Sequence, residues 1–591
     1  MCGICGEMRF DKTKISLDDK TELLNSIKFR GPDNTGIYNS SDDSVFLGHS
    51  RLSIIDISEK SNQPMLDSNL GMTIVFNGVI YNYVSLRNEL IKKGYSFTSD
   101  GDTEVIIKAY HFYGSKCLDK IDGIFSFCIY NLKNKKLFIA RDRFGIKPLY
   151  YIKNSTQIIF SSTMKSLINK SSKLINNIGL NYHFSLHSVV PAPHTIFKDI
   201  NKLEQGHYLE INQDGNLTNR KYYSTHEIKI NKNINEYEII EETERLLIEA
   251  LKKRLLVSDV PVGVLLSGGL DSSLIVAMSA AHTNQDINTY SIGFSNKDEE
   301  EGNEFFYSDL VSDKFNTNHK KILTNDDELY NNLEDVIKMM PEPLSGQDAA
   351  AFFLLAKEVS KTQKVVLSGQ GADELFGGYF WYEKMSNDSS KDINKFLNHY
   401  QDRTFNDYST LMNNEYVNID YTYKLVKEWF DLYQNRDMSF LDTVLRVDVS
   451  NLIVDDPVKR VDSMTMSWAL ETRVPFLDKN LVEFFLSVPS EHKIKNNGKY
   501  YLKKLSSKYL PNNLINREKF YFPVPPLKIL KNKFLDYVSD VLLSSECSNR
   551  GIFNQKIIKR LLKNPNNHYT RLNGNTLWHL ALFESWLQQN T

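Results

Sequence analysis

Over the first two hundred residues the apolar positions come in short bursts. SVFLGHSRLSIID (44–56), GMTIVFNGVIYN (71–82) and FSFCIYNLKNKKLFIARD (125–142) are dense in β-branched and aromatic residues and stop at Asn, Gly or Lys-rich turns. They read as strands, joined mainly in antiparallel fashion. Between them SLRNELIKKG (85–94) and TEVIIKAYHFYG (103–114) carry apolar residues at helical spacing and each closes on a glycine, as amphipathic helices with a C-terminal cap do. NQDGNLTNRKYYSTHE (212–227) is polar and turn-rich and reads as linker. Beyond Ile234 longer helical stretches alternate with brief apolar runs that end in glycine turns, VPVGVLLSGG (260–269), INTYSIGF (287–294) and QKVVLSGQG (363–371). That order predicts a parallel, doubly wound sheet whose ligands sit beyond the carboxyl ends of its strands. The expected organisation is an α/β domain over 2–205, a linker over 206–233 and a second α/β domain over 234–591, with helical excursions of weak periodicity around 385–440.

Composition narrows the partners. A chain of 591 residues with 41% apolar and 12% aromatic residues folds as more than one domain. The net charge of -2 leaves no long-range field toward nucleic acid or an anionic membrane. No run of eighteen apolar residues and no signal-like N-terminus occur, so a cytoplasmic protein handling small molecules is expected, without nucleic acid or membrane.

Two stretches carry chemistry. The chain opens MCGICG, and Cys2 and Cys5 admit three readings: a redox or metal pair, early buried hydrophobes, or a nucleophile exposed once Met1 is trimmed. A zinc ribbon needs a second Cys-x-x-Cys or a His pair at ligand spacing, which is absent, and a thioredoxin-like pair needs a βαβ start. Five cysteines in so long a chain make no disulfide framework. Farther on, SGGLDSS (267–273) lies between an apolar strand and a helix. Glycines there let backbone amides approach an anion, hydroxyls add donors, and the helix start adds its positive end. It is a phosphate cradle without the lysine of the G-x4-GK[ST] loop.

SGGLDSS resembles the signature loop of ATP pyrophosphatases, which cleave ATP between its first two phosphates to adenylate an acceptor. With SGQGADELFGGY (368–379) and the opening MCGICG, essentially the whole chain resembles the glutamine-hydrolysing asparagine synthetases. The resemblance implies an N-terminal-nucleophile (Ntn) glutaminase, an αββα sandwich, joined to an ATP pyrophosphatase domain. Cys2 would attack the amide of glutamine, with its own freed amine as base. Asn77 and Gly78 would stabilise the oxyanion, Arg51 would grip the glutamine carboxylate, and Asp102 its ammonium while also standing as a helix N-cap. Leu265 and Ile292 would flank adenine, and Ser267, Gly268, Gly269, Asp271, Ser272, Ser368 and Gly369 would surround the phosphates. Asp271 and Asp373 would hold Mg²⁺, Lys499 would stabilise the adenylation transition state, and Gln370, Asp373 and Arg460 would face the acceptor. The implied partners are glutamine, ATP and an acceptor carboxylate. Ammonia crosses a tunnel and displaces AMP, and a homodimer is compatible with this scheme.

The chain departs from that pattern at named positions. Val79 stands where NGEIYN has a glutamate, Gln370 where SGEGADE has one, and Ser463 where many members have arginine. An amide cannot take the proton that the glutamate would. NGVIYNY, NEFFYSDL, SGQGADELFGGYFWY, FYFPVPPLK and NTLWHLALFESWLQ resemble N-acetylglutaminylglutamine amidotransferases, which amidate a blocked dipeptide, while EPLSGQDAAAFF, Thr163 and Phe520 fit that pattern loosely. The blocked dipeptide is the first expected acceptor and aspartate the alternative. A non-catalytic scaffold is the reading from another class.

Overall fold

The computed structural model describes residues 2–283, 286–295, 302–434, 438–517 and 524–591, so Phe520 lies outside the described residues. The first half holds two six-stranded sheets. In one, Gly3–Arg9 lies between Val45–Arg51 and Gln157–Ser161, antiparallel to both. In the other, Met72–Ile80, Gly123–Asn131 and Lys136–Arg141 run antiparallel in sequence order. Their inner faces meet through Ile4, Met8, Val45, Leu47, Val75, Cys128 and Ile139. The helix Leu17–Ile27 covers the outside of the first sheet through Leu23 and Ile27, and Tyr83–Lys92 and Thr103–Tyr113 cover the second through Leu86, Leu90, Val105 and Ile106. This is the αββα sandwich. Both glycine stops behave as the sequence predicts: Gly94 and Gly114 take positive φ, +93° and +60°, with nothing near a would-be Cβ.

The linker starts later than the sequence suggests. His207–Ile211 pairs with Lys136–Arg141 and forms a hairpin with Leu217–Lys221, so both strands belong to the second sheet. The polar NQDGN segment is its turn, with Gly215 at φ +78°. The outer strand is an exposed edge whose residues are mostly polar, which is why hydrophobic patterning hides it.

The second half is built on five parallel strands ordered Asn318–Thr324, Asn288–Phe294, Val262–Leu265, Val365–Leu367, Glu471–Arg473. Chain order reverses between the third and fourth, and both glycine loops leave the carboxyl ends of those two strands, at the switch point of a doubly wound sheet. The weakly periodic region forms helices Phe380–Asn387, Asp392–Tyr400, Phe405–Leu411 and Tyr421–Tyr433, with Tyr382, Phe396, Trp429 and Phe430 in a cluster of their own. Before the helix Lys459–Met466 the chain passes through two π-helical turns, Asp448–Leu452 and Val454–Val458, the second containing Pro457. Pro457 lacks the N–H that a regular helix would bond, and a local widening of the turn accommodates it.

Buried charges join the halves. Asp462 accepts from Arg30 and from Lys147, 3.0 Å each. Lys202 reaches Glu342 at 3.0 Å and Asp455 at 2.7 Å, and Lys459 reaches Glu342 at 3.2 Å. Removing one partner from such a group leaves a buried charge uncompensated.

Candidate functional site

Two pockets gather most of the residues singled out in the sequence; Asn77 and Gly268 stand beside them without lining either. The first opens beside Cys2, which is 8% exposed, at the start of a central strand. Its walls include Cys2, Arg51, Gly78, Val79 and Asp102, together with Glu471 and Arg473 from the edge strand of the other half. The Cys2 nitrogen lies 3.1 Å from Asn77 Oδ1, and the Arg30 guanidinium donates to the Cys2 carbonyl at 3.2 Å. Because Arg30 also pairs with Asp462, the strand end carrying the thiol is fixed to the second half. Burial pushes the Cys2 thiol up, so at neutral pH a base is required to make the thiolate. None of the residues lining this pocket is a histidine. Cys5, by contrast, is fully buried within the same strand, its sulfur packed at Gly48. Of the three readings, early buried hydrophobe describes Cys5.

Arg51 donates to the Ser58 carbonyl and to Asn62 Oδ1, 2.8 Å each, and to the Asp56 carbonyl. The loop over 56–62 therefore aims the guanidinium into the pocket. Asp102 stands at the N-cap position of Thr103–Tyr113 but does not cap it. Its Oδ2 accepts instead from Ile80 N at 2.9 Å, and burial raises its carboxyl to about 6. Gly78 has no room for a side chain, since a Cβ would fall 2.1 Å from the Ile124 carbonyl. Val79 is buried against Leu52 and Ile54.

The second site is a cleft of roughly 780 Å³ at the switch point. Leu265, Ile292, Phe352 and Leu355 form apolar lining, and Ser267, Gly269, Asp271, Ser272, Ser368 and Gly369 of the two glycine loops line the cleft with them. Gly268 takes φ +77°, and a Cβ there would meet Tyr307 Cβ and Ser308 N at 2.7 and 2.8 Å, so both backbone and space call for glycine. The loop closes on itself: Ser272 Oγ accepts from Ser267 N, and Ser267 Oγ from Gly269 N, both at 3.2 Å. Lys499 places its ammonium 2.6 Å from Asp271 and 2.8 Å from Asp373. Burial alone would lower this ammonium, but the two carboxylates raise it above the usual lysine range. A run of left-handed residues holds it there, Asn496, Asn497, Gly498 and Lys499 with φ of 55°, 61°, 78° and 55°.

The same cleft is also lined by Gln370, Asp373 and Arg460, and with them by Asp348 and Tyr379. Arg460 bonds Asp456 at 2.6 Å and approaches Asp348 at 3.0 Å. Gly346 makes room for its guanidinium, since a Cβ would lie 2.0 Å from Nη1. Among the described residues the cleft is lined by five carboxylates (Asp271, Glu304, Asp348, Asp373, Glu383) and four cations (Arg460, Lys499, Lys503, Arg517). Such a lining requires added cations to take a polyphosphate, and Asp271 with Asp373, already bridged by one cation, suits a divalent ion that takes one or two carboxylates plus phosphate oxygens.

Sequence reasoning missed Arg30, Asp348, Asp462, Glu471 and Arg473. The last three lie between Arg460 and Asp478, but which charges of that stretch face which pocket depends on packing that periodicity does not encode.

Comparison with known proteins agrees with this architecture. Residues 1–223 match the glutamine amidotransferase domain and residues 242–588 match asparagine synthase. Asparagine synthetase [glutamine-hydrolyzing] 1 of Bacillus subtilis is 31% identical over 99% of this chain and 96% of its own. Its paralogue 3 is 30% identical over 88% and 87%, and putative asparagine synthetase 2 of Methanocaldococcus jannaschii is 36% identical over 64% and 76%. An amidotransferase sandwich joined to a parallel sheet with two glycine loops, matched along nearly its whole length, makes this chain a member of the glutamine-hydrolysing asparagine synthetase family, an ATP-dependent carbon–nitrogen ligase.

Proposed function

We propose that the enzyme is an asparagine synthetase: it takes ammonia from glutamine at Cys2 and transfers it to the side-chain carboxylate of aspartate after adenylation by ATP. The observation that carries the acceptor is the pair Asp348–Arg460 in the cleft wall, with Asp456 bonded to the same guanidinium. It offers fixed charges of both signs, with one carboxylate in excess, and complements a free amino acid that brings an ammonium and a spare carboxylate. A blocked dipeptide brings no ammonium. The names of the relatives support the same acceptor.

In the first half-reaction, removal of Met1 frees the Cys2 amine, which is positioned by Asn77 and takes the thiol proton. The thiolate attacks the glutamine amide while Arg51 and Asp102 hold the substrate's α-carboxylate and ammonium. The Asn77 side chain and Gly78 N–H stabilise the oxyanion. The proton passes to the departing ammonia, and water hydrolyses the thioester to glutamate. In the second, Ser267, Gly269, Ser272, Ser368 and Gly369 orient the phosphates, and the acceptor carboxylate displaces pyrophosphate. Asp271 and Asp373 would hold Mg²⁺, whose charge stabilises the leaving pyrophosphate. Lys499 then turns from these carboxylates to the phosphoryl oxygens, and ammonia replaces AMP on the acyl carbon. Ammonia reaches the cleft through the interior between the halves, away from water.

Blocked-dipeptide amidation is the second reading. It is favoured by Gln370, which removes the carboxylate that would assist ammonia attack, and by the size of the cleft. Offering aspartate and N-acetylglutaminylglutamine in parallel with amide-¹⁵N glutamine decides between them. Labelled asparagine supports the proposal, and label in the dipeptide amide alone overturns it.

A further inference from the structure

One strand touches both sites. Glu471–Arg473 is the edge strand of the five-stranded parallel sheet, yet its Glu471 and Arg473 side chains line the Cys2 pocket. They are buried, and the Arg473 Nε donates to Glu471 Oε1 at 2.6 Å. The rest of the Arg473 guanidinium is committed unevenly. Nη1 donates to the Arg254 and Val257 carbonyls at 2.6 and 2.8 Å, whereas Nη2 is buried with no hydrogen-bond partner among the described residues. A guanidinium nitrogen buried without a partner is costly, and this one belongs to a side chain on the wall of a substrate pocket. On its backbone side Arg473 accepts at its carbonyl from Ser368 N, 2.9 Å, at the start of the second phosphate loop.

The pocket's charges show what is missing. A glutamine ammonium facing Asp102 alone, with valine at 79, would have a single carboxylate partner on the first half. That carboxylate is raised to about 6 by burial. Burial would also raise Glu471, but the positive charges around it, Arg473 and Lys147 among them, hold it down at about 2. Glu471 thus stands as a second carboxylate on the wall that holds Cys2 and Asp102.

We propose that Glu471, contributed by the synthetase half, is the second carboxylate of the glutamine ammonium site, and that Arg473 is a positioning residue linking that site to the phosphate loop through its carbonyl bond to Ser368. Glutamine binding then shifts the strand that holds Ser368, and nucleotide binding shifts the carboxylate that holds glutamine. This rests on the assignment of Cys2 as the glutaminase nucleophile.

The test is glutamine hydrolysis by the full-length enzyme, with and without Mg·ATP and acceptor. Glu471→Gln should raise KM for glutamine about tenfold to a hundredfold, the worth of one charge-assisted hydrogen bond, with a much smaller change in kcat. Glu471→Asp should recover part of the loss. Arg473→Lys should abolish whatever change in KM for glutamine Mg·ATP produces in the wild type, a readout that general loosening of the fold does not move selectively. Circular dichroism melts identify variants that fail to fold, and for these the wild type decides: isothermal titration of glutamine should give a different Kd in the presence of Mg·ATP. An unchanged KM in folded Glu471→Gln, or a glutamine Kd indifferent to nucleotide, overturns the inference. Hydrolysis surviving Cys2→Ala would instead overturn the assignment on which it rests.

Discussion

The two pockets of this enzyme solve opposite problems. Around Cys2 the groups already stand in place: Arg51 is held by three loop oxygens, Asp102 by a backbone amide, and the Cys2 nitrogen by Asn77. The cleft is wider and its strongest charges are spent on one another, Lys499 on Asp271 and Asp373, Arg460 on Asp348 and Asp456. A preorganised site needs little rearrangement when one small neutral amide reacts. A site that must receive ATP, a metal ion and an acceptor has to exchange internal ion pairs for substrate contacts. Glutamine chemistry should thus depend on single residues in place, and synthesis on which charges can be displaced.

The sharpest break of this comparison is Cys2→Ala. Glutaminase activity and glutamine-driven synthesis should fall by more than about 10⁴-fold, while synthesis from added ammonium persists; equal loss of both would show that the pockets do not divide the work. Asp271→Asn should do the reverse, lowering synthesis from either nitrogen source by about 10³-fold and leaving glutamate release measurable. Asp462→Asn probes the seam between the pockets. With Arg30 and Lys147 buried and less well paired, unfolding in urea should show a loss of about 3–5 kcal/mol. The smallest effect is in pH. Because burial places Asp102 at about 6, KM for glutamine should be flat above that pH and rise by up to about tenfold per unit below it, as the carboxylate takes a proton and ceases to attract the ammonium. In Asp102→Asn that rise should vanish, with KM high throughout.

Local sequence was enough for much of the molecule. Strand bursts such as Met72–Ile80, the glycine stops after Lys92 and Tyr113, and the strand–loop–helix at SGGLDSS are set by neighbours within a few residues, through β-branching, left-handed glycine and helix-end donors, and all appear where the sequence predicts. Cys2, Arg51, Asn77 and Asp102 could be chosen because each sits in a short motif that resembles one of the asparagine synthetases. What the tertiary structure alone decided is where charges meet across distance. Arg30 finds Asp462 over 432 positions of chain and Lys499 finds Asp271 over 228, and Glu471 enters a pocket belonging to the other half. The energy of a buried charge depends on its surroundings in space and hardly at all on its neighbours along the chain. The strand Glu471–Arg473 is not read from the sequence, and only the packing of the two halves determines which pocket its glutamate serves.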